Sequence, residues 1–316
     1  MKQLVNLERF FLVGHIVAMV FGLAGLLIVL PHPELIAGLS TLGQTVFQWS
    51  MAGGGVVYII LGAVAVAIYA YRTLGLWHWL TFMIPAVCLS LGSELLGTST
   101  GFPFGEYGYL SGLGYKVAGL VPFTIPLSWF YMGLVSYVIA RAGLKIDERG
   151  NTKWNWLRQI GAIALGAMLL TSWDFALDPA MSQTAYPFWH YGKVGAFFGT
   201  PYRNFAGWIA TGVLFMTVAA LFWKKAPIAL SRKQLGLPLA VYISNIAFGA
   251  VMTIYGAGIW LPVGLSILLG VVPALALVQM ASSVPALTGL EQRENADLVP
   301  TQTAQVPVTS VGVMPK

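Results

Sequence analysis

Cysteine occurs once, at Cys88, which excludes an intrachain disulfide and any cysteine-based metal cluster. Histidine is almost as scarce. His15, His32, His78 and His190 stand alone, with no pair at i, i+3 or i, i+4 spacing. A membrane di-iron hydroxylase needs several clustered histidines, because each iron takes multiple nitrogen or carboxylate ligands. This chain has too few, in the wrong places. No glycine-rich phosphate loop follows a strand and no dinucleotide fingerprint is present. The expected cofactor set is therefore empty, and no metal site is expected.

Charge is the third shortage. Only 9% of the 316 residues are Asp, Glu, Lys or Arg, against roughly 25% in a soluble domain. What fills the chain instead is 57% hydrophobic sequence, arranged in runs long enough to cross a bilayer. The fold class is all-α: a polytopic transmembrane helical bundle of about eight spans. The expected spans are 9–30, 47–70, 76–96, 116–140, 159–179, 204–223, 237–257 and 262–282. The first run lacks a convincing small-residue cleavage site and reads as a retained helix rather than a signal peptide. Residues 1–282 form the transmembrane domain. Residues 283–316 turn polar, with scattered prolines and no apolar periodicity, and read as a disordered cytoplasmic tail.

The net charge of +6 could point to nucleic acid in a soluble protein. Here the basic residues sit in short loops between spans, so nucleic acid is not an expected partner. With eight spans, fourteen Lys and Arg fall on one side, and only Lys116, Lys193 and Arg203 fall on the other. The positive-inside rule then puts both termini in the cytoplasm.

Two polar, aromatic, glycine-rich segments interrupt this pattern, Glu94 to Tyr109 and Asp174 to Trp208, both on the non-cytoplasmic face. They hold Glu94, Glu106, Asp174 and Asp178, four of the chain's 11 acids. Ionisable groups at the edge of a bilayer are costly and mark functional sites. Asp174 and Asp178 project from one helical face. Pro179 is expected to end the fifth span at Asp178, with Asp174 one turn, roughly 6 Å, deeper. Two close carboxylates in a poorly hydrated site resist joint ionisation, so one can keep its proton and act as a general acid. The bland alternative is a helix cap and an ion pair to Arg203 or Lys193.

Glu94 ends the third span facing the two aspartates and would complete an acidic cluster. Glu106, mid-loop, reads as solvated or structural. Asn204 is an N-cap residue type at the start of the sixth span, where capping is expected, although it could orient a water. His190 reads as an interfacial residue or a proton shuttle. Phe104-Gly105 and Phe198-Gly199 occupy comparable places in the two loops and hint at a parallel internal repeat. Interfacial belts account for many of the surrounding rings. Rings around an acid also suit a carbocation, since π-faces stabilise cations. The candidate substrate-binding residues are Phe104, Tyr107, Trp129, Trp173, Trp189, Phe198, Asn204 and Trp208; the candidate catalytic residues are Asp174, Asp178 and Glu94.

At Glu94, Gly101-Phe102-Pro103-Phe104-Gly105-Glu106-Tyr107, Val121-Pro122, Ile125-Pro126, Asp178-Pro179, Phe198-Gly199-Thr200-Pro201 and Asn204-Phe205-Ala206-Gly207-Trp208, the chain resembles a known family. It is the carotenoid-biosynthesis membrane family of cyanobacterial γ-carotene 1′-hydroxylases and archaeal bisanhydrobacterioruberin hydratases, and the likeness covers roughly residues 50–280. The resemblance implies water addition across the 1′,2′ double bond of an acyclic (ψ) carotenoid end group. It implies a membrane-embedded carotenoid and water as partners, with a downstream carotenoid glycosyltransferase in a myxoxanthophyll-type pathway. The location it implies is a cyanobacterial plasma or thylakoid membrane. Two rival readings share the composition: another carbocation-type isoprenoid enzyme such as a cyclase, and a non-catalytic carotenoid carrier or transporter.

Overall fold

A computed structural model of the chain describes residues 2–146, 153–225 and 228–283. The expected tail, apart from Ser283, lies outside the described residues. Among the described residues, eight helices are long and apolar enough to span a membrane: α1 (Lys2–Val29), α2 (Thr41–Leu74), α3 (Leu76–Thr100), α4 (Thr124–Gly143), α5 (Asn155–Ser182), α6 (Tyr202–Trp223), α7 (Arg232–Gly256) and α8 (Leu261–Met280). The protein is an all-α, multi-pass bundle.

Helix α4 is the axis of the bundle. It packs against α2, α3, α5, α7 and α8, and nearly every residue from Thr124 to Gly143 is buried. Its hydropathy is the lowest of the eight. A helix enclosed by protein need not be apolar all round, and α4 carries Ser128, Tyr131, Ser136, Tyr137 and Arg141 into the interior. The outer helix α1 buries only Glu8, His15 and Met19 and is tied to α2 by a paired Glu8–Arg72 contact (2.8 and 3.1 Å). Deeper in the bundle, His15 Nδ1 lies 2.7 Å from the Tyr58 carbonyl oxygen of α2. Its Nε2 lies 3.0 Å from Asn245 Nδ2, and the Asn245 Oδ1 accepts from the Tyr131 hydroxyl. This polar chain fixes α1, α2, α4 and α7 to one another.

Two sequence expectations are corrected here. The fourth span begins at Thr124 rather than 116, because Lys116–Val117 (β2) pairs antiparallel with Val121–Pro122 (β3). That hairpin is apolar enough to extend the hydropathy run without being helical. The fifth span does not end at Asp178: α5 continues through Pro179 to Ser182. Proline removes one helix hydrogen bond and disturbs its neighbours. The Thr253 hydroxyl of α7 donates to the Ala176 carbonyl (2.6 Å), supplying a partner at the disturbed turn. Neighbouring Ser and Thr side chains commonly rescue proline in membrane helices in this way.

The two unusual loops are joined by a second ladder. Tyr107–Tyr109 (β1) pairs antiparallel with Trp189–Tyr191 (β4), in the register Tyr107↔Tyr191, Gly108↔His190, Tyr109↔Trp189. Two further bonds, Leu110 N to Phe188 O and Gly192 N to Glu106 O, extend it. The α3–α4 and α5–α6 connections therefore lie at the same end of the bundle and form one small sheet over it.

Candidate functional site

Side chains alternate across a strand, and here the alternation decides which rings face inward. Tyr107, Tyr109, Trp189 and Tyr191 point down from the sheet into the bundle, and the central Gly108–His190 pair faces out. His190 is exposed. Glu106 is exposed as well, beside the sheet.

Each inward ring finds a carboxylate. Glu94, near the end of α3 and 4% exposed, accepts hydrogen bonds from the Tyr107 and Tyr109 hydroxyls and from the Trp129 indole N–H. The Tyr109 contact is 2.8 Å and the Trp129 contact 2.9 Å. Asp178, near the end of α5 and 1% exposed, accepts from Trp189 Nε1 and the Tyr191 hydroxyl, both at 2.6 Å, and from Asn204 Nδ2 at 3.2 Å. Asp174, one turn deeper, accepts only from Asn204 Nδ2, at 2.7 Å, among the described residues. One amide nitrogen thus reaches both aspartates. Burial, then the neighbouring carboxylate charge of Glu94, pushes the Tyr107 and Tyr109 phenols far above their ordinary range. Burial and Asp178 do the same to Tyr191. All three stay protonated and remain donors.

The packing beneath explains the Gly-Phe-Pro-Phe-Gly run. Phe104 is 2% exposed and wedged between α3 and α6. A Cβ on Gly97 would stand 2.7 Å from its ring, and a Cβ on Gly207 would stand 2.5 Å from it. Both glycines are there because the ring needs their space. Below it, the Trp129 and Trp208 indoles stack with centroids 4.2 Å apart, and Trp173 meets Trp208 edge-on at 5.8 Å. Offset and edge-to-face contacts of this kind are the favourable ones for aromatic rings.

These groups enclose a cavity of about 50 Å³. A cavity needs roughly 10–15 Å³ of such volume per water, so this one has room for a few. All three expected acids line it, as do Phe104, Tyr107, Trp129, Trp173, Trp189, Asn204 and Trp208. Phe198 does not. It sits exposed at a tight turn with φ +48°, stacked edge-on against Phe197. Asn204 is not a cap: α6 starts after Pro201 with no side-chain cap, and the Asn204 amide is spent on the aspartates. Nor do the aspartates form ion pairs. Among the described residues the ion pairs are Glu8–Arg72 and His32–Glu34. The Arg203 guanidinium lies 5.7 Å from the centre of the Phe102 ring.

Sequence reasoning left Tyr109, Tyr191 and Tyr58 out of the site. Tyr109 and Tyr191 had a signal in the Tyr-x-Tyr and Trp-x-Tyr alternation; Tyr58, in the middle of α2, had none. The repeat between the loops also takes a different form from the one expected. Each acid, Glu94 or Asp178, receives the two inward rings of the strand that follows its own helix. Phe104-Gly105 precedes its strand, whereas Phe198-Gly199 follows its own, so that dipeptide match does not carry the repeat.

Among the described residues, no group of three His, Cys, Asp or Glu side chains could hold a metal ion. O–H and N–H donors occupy three of the roughly four lone-pair positions on each of Glu94 and Asp178.

Comparison with known proteins gives one relative and one family. The chain is 28% identical over 188 residues to the bisanhydrobacterioruberin hydratase of the archaeon Haloarcula japonica, covering 60% of each chain. The chain thus spans less than two thirds of the length of that relative. No solved structure matches. The family model described as "Carotenoid biosynthesis protein" matches residues 54–273, which include all three acids, both loops and the α3–α7 helices entire. The chain belongs to the carotenoid biosynthesis protein family.

Proposed function

We propose that this protein is a carotenoid 1′,2′-hydratase, which adds water to the terminal double bond of an acyclic end group without a cofactor. One observation carries the reading: three buried carboxylates share one small, ring-lined cavity, but with unequal numbers of donors. Glu94 and Asp178 each accept three hydrogen bonds, the pattern that suits a carboxylate anion. Asp174 accepts one, which suits the protonated partner.

In this mechanism the Asp174 carboxyl gives its proton to carbon 2′. The π-electrons of the double bond form the new C–H bond, and carbon 1′ is left as a tertiary cation. The faces of Trp129, Trp173 and Trp208 stabilise that cation. A water in the cavity attacks carbon 1′, and its proton passes to a carboxylate, Glu94 or Asp178. The substrate becomes a tertiary alcohol, one water heavier. The proton then returns from that carboxylate to Asp174, directly or by exchange with solvent, which restores the starting state. The product hydroxyl would then be available to a glycosyltransferase acting later. The fourteen-to-three split of basic residues supports placing the sheet-covered end outside the cytoplasm, with both termini within it.

Expression in a host that makes lycopene or γ-carotene tests this reading against its rivals. A hydratase yields a carotenoid heavier by one water. A product with a changed ring count would mean a cyclase, and bound but unaltered pigment would mean a carrier.

A further inference from the structure

The cavity has room for a few water-sized groups but not for a long polyene, so most of the substrate needs another place. A groove of about 390 Å³ lies between α1 and α2, lined almost wholly by apolar side chains and by glycine. Tyr58 lines both this groove and the acidic cavity. Phe188, which lines the groove, is followed directly by Trp189, which lines the cavity. The two spaces are therefore neighbours that meet at Tyr58 and at the edge of the sheet.

The groove is cut by missing side chains. Gly53, Gly54 and Gly55 follow one another on α2. Gly55 has a packing reason, since a Cβ there would stand 2.5 Å from the Gly112 carbonyl oxygen. Gly53 and Gly54 have none: nothing lies within 4 Å of the position a Cβ would take, and the same holds for Gly25 on α1. Glycine inside a helix costs stability relative to alanine. Alanine would fit at these positions, and what it would reduce is the groove. The exposed rings of Phe21 and Trp49 stand at its sides.

We infer that this groove is the site of the substrate's polyene chain, entered sideways from the lipid, with Tyr58 as the partition past which only the end group reaches the acids. The inference rests on the proposed function for the identity of the occupant. An extended hydrocarbon polyene matches the groove in having no polar group to satisfy along its length. The partition explains how a long apolar molecule presents one end to a site that also admits water.

The test uses the full-length protein, made in a lycopene-producing host and purified in mild detergent, with bound pigment per protein read by absorbance. Gly53→Leu and Gly54→Leu fill the groove without meeting another atom at Cβ. Gly264→Leu on α8, where nothing lies within 4 Å either, is the control. Pigment should fall roughly tenfold or more in the two groove variants, on the scale of a hydrocarbon mismatch in an apolar pocket. It should stay at the wild-type amount in Gly264→Leu. Wild-type pigment in both groove variants, or no pigment in the wild type, overturns the inference.

A second measurement does not depend on how the leucine variants fold. In a Cys88→Ser background, Trp49→Cys should react with a membrane-permeant thiol reagent several-fold more slowly in lycopene-containing than in lycopene-free membranes. Leu268→Cys, exposed on α8, should react equally in both. Equal rates at Trp49→Cys count against the groove. Groove-dependent binding of unaltered pigment would sink the hydratase reading and leave this one standing; hydrated product with groove-independent binding would do the reverse.

Discussion

Asp174→Asn should give a protein that inserts, carries carotenoid and turns over at least about 10²-fold more slowly, the usual scale for a lost general acid. Asparagine keeps the size and polarity of the side chain and can still face the Asn204 amide, but it has no acidic proton to give. Asp178→Asn should also be impaired, by a different route. It replaces an oxygen that accepts from Tyr191 or Trp189 with a donor, which disturbs the sheet above the site. Asp174→Asn should therefore lose turnover with an unchanged thermal midpoint, and Asp178→Asn should lose both. Lys193→Ala and Arg203→Ala separate this from an ion-pair role. Neither basic residue meets an aspartate in the structure, so both variants should retain substantial activity. Near-normal product formation by Asp174→Asn would remove it as the donor and move the search to Glu94.

Glu94→Leu should be the most destabilising single change at the site. It strips the acceptor from three donors at once, the Tyr107 and Tyr109 hydroxyls and the Trp129 indole N–H. A buried donor left unpaired costs about 1–3 kcal/mol. The phenols cannot escape by ionising, because burial holds them protonated. The sum is several kcal/mol, concentrated where β1 is fastened to α3. Glu94→Gln keeps one acceptor oxygen and should fall between the two. Thermal unfolding and limited proteolysis of the 101–123 loop measure the effect. The expected order of midpoint is wild type, then Glu94→Gln, then Glu94→Leu, with the loop cut fastest in the last. A wild-type midpoint and an uncut loop in Glu94→Leu would contradict the anchoring role.

The residues that place the site were readable before the structure for a physical reason. Acids at the edges of apolar runs are expensive, and the chain has few of them, so Glu94, Asp174 and Asp178 stood out. The eight spans followed from run length. What could not be read were long-range consequences. The β1–β4 ladder joins residues eighty or more positions apart over only three residues per strand, too short for a period-two signal to rise above an interfacial aromatic belt. Tyr109 and Tyr191 were lost in that background. Phe198 was chosen from a motif in which the buried ring is its neighbour Phe197, which packs on Phe175 and Phe205. Pro179 looked like a stop because the hydroxyl that accommodates it, Thr253, comes from another helix. Asn204 looked like a cap because its type fits one, while its partners lie a helix away.

The source of the product's oxygen tests the central claim most directly. Membranes containing the protein are supplied with acyclic carotenoid in water enriched in oxygen-18, under argon and again under ordinary air. Hydration predicts full incorporation of the heavy oxygen into the tertiary alcohol and the same rate in both atmospheres. An alcohol that takes its oxygen from labelled oxygen gas, or that fails to form under argon, would contradict the account.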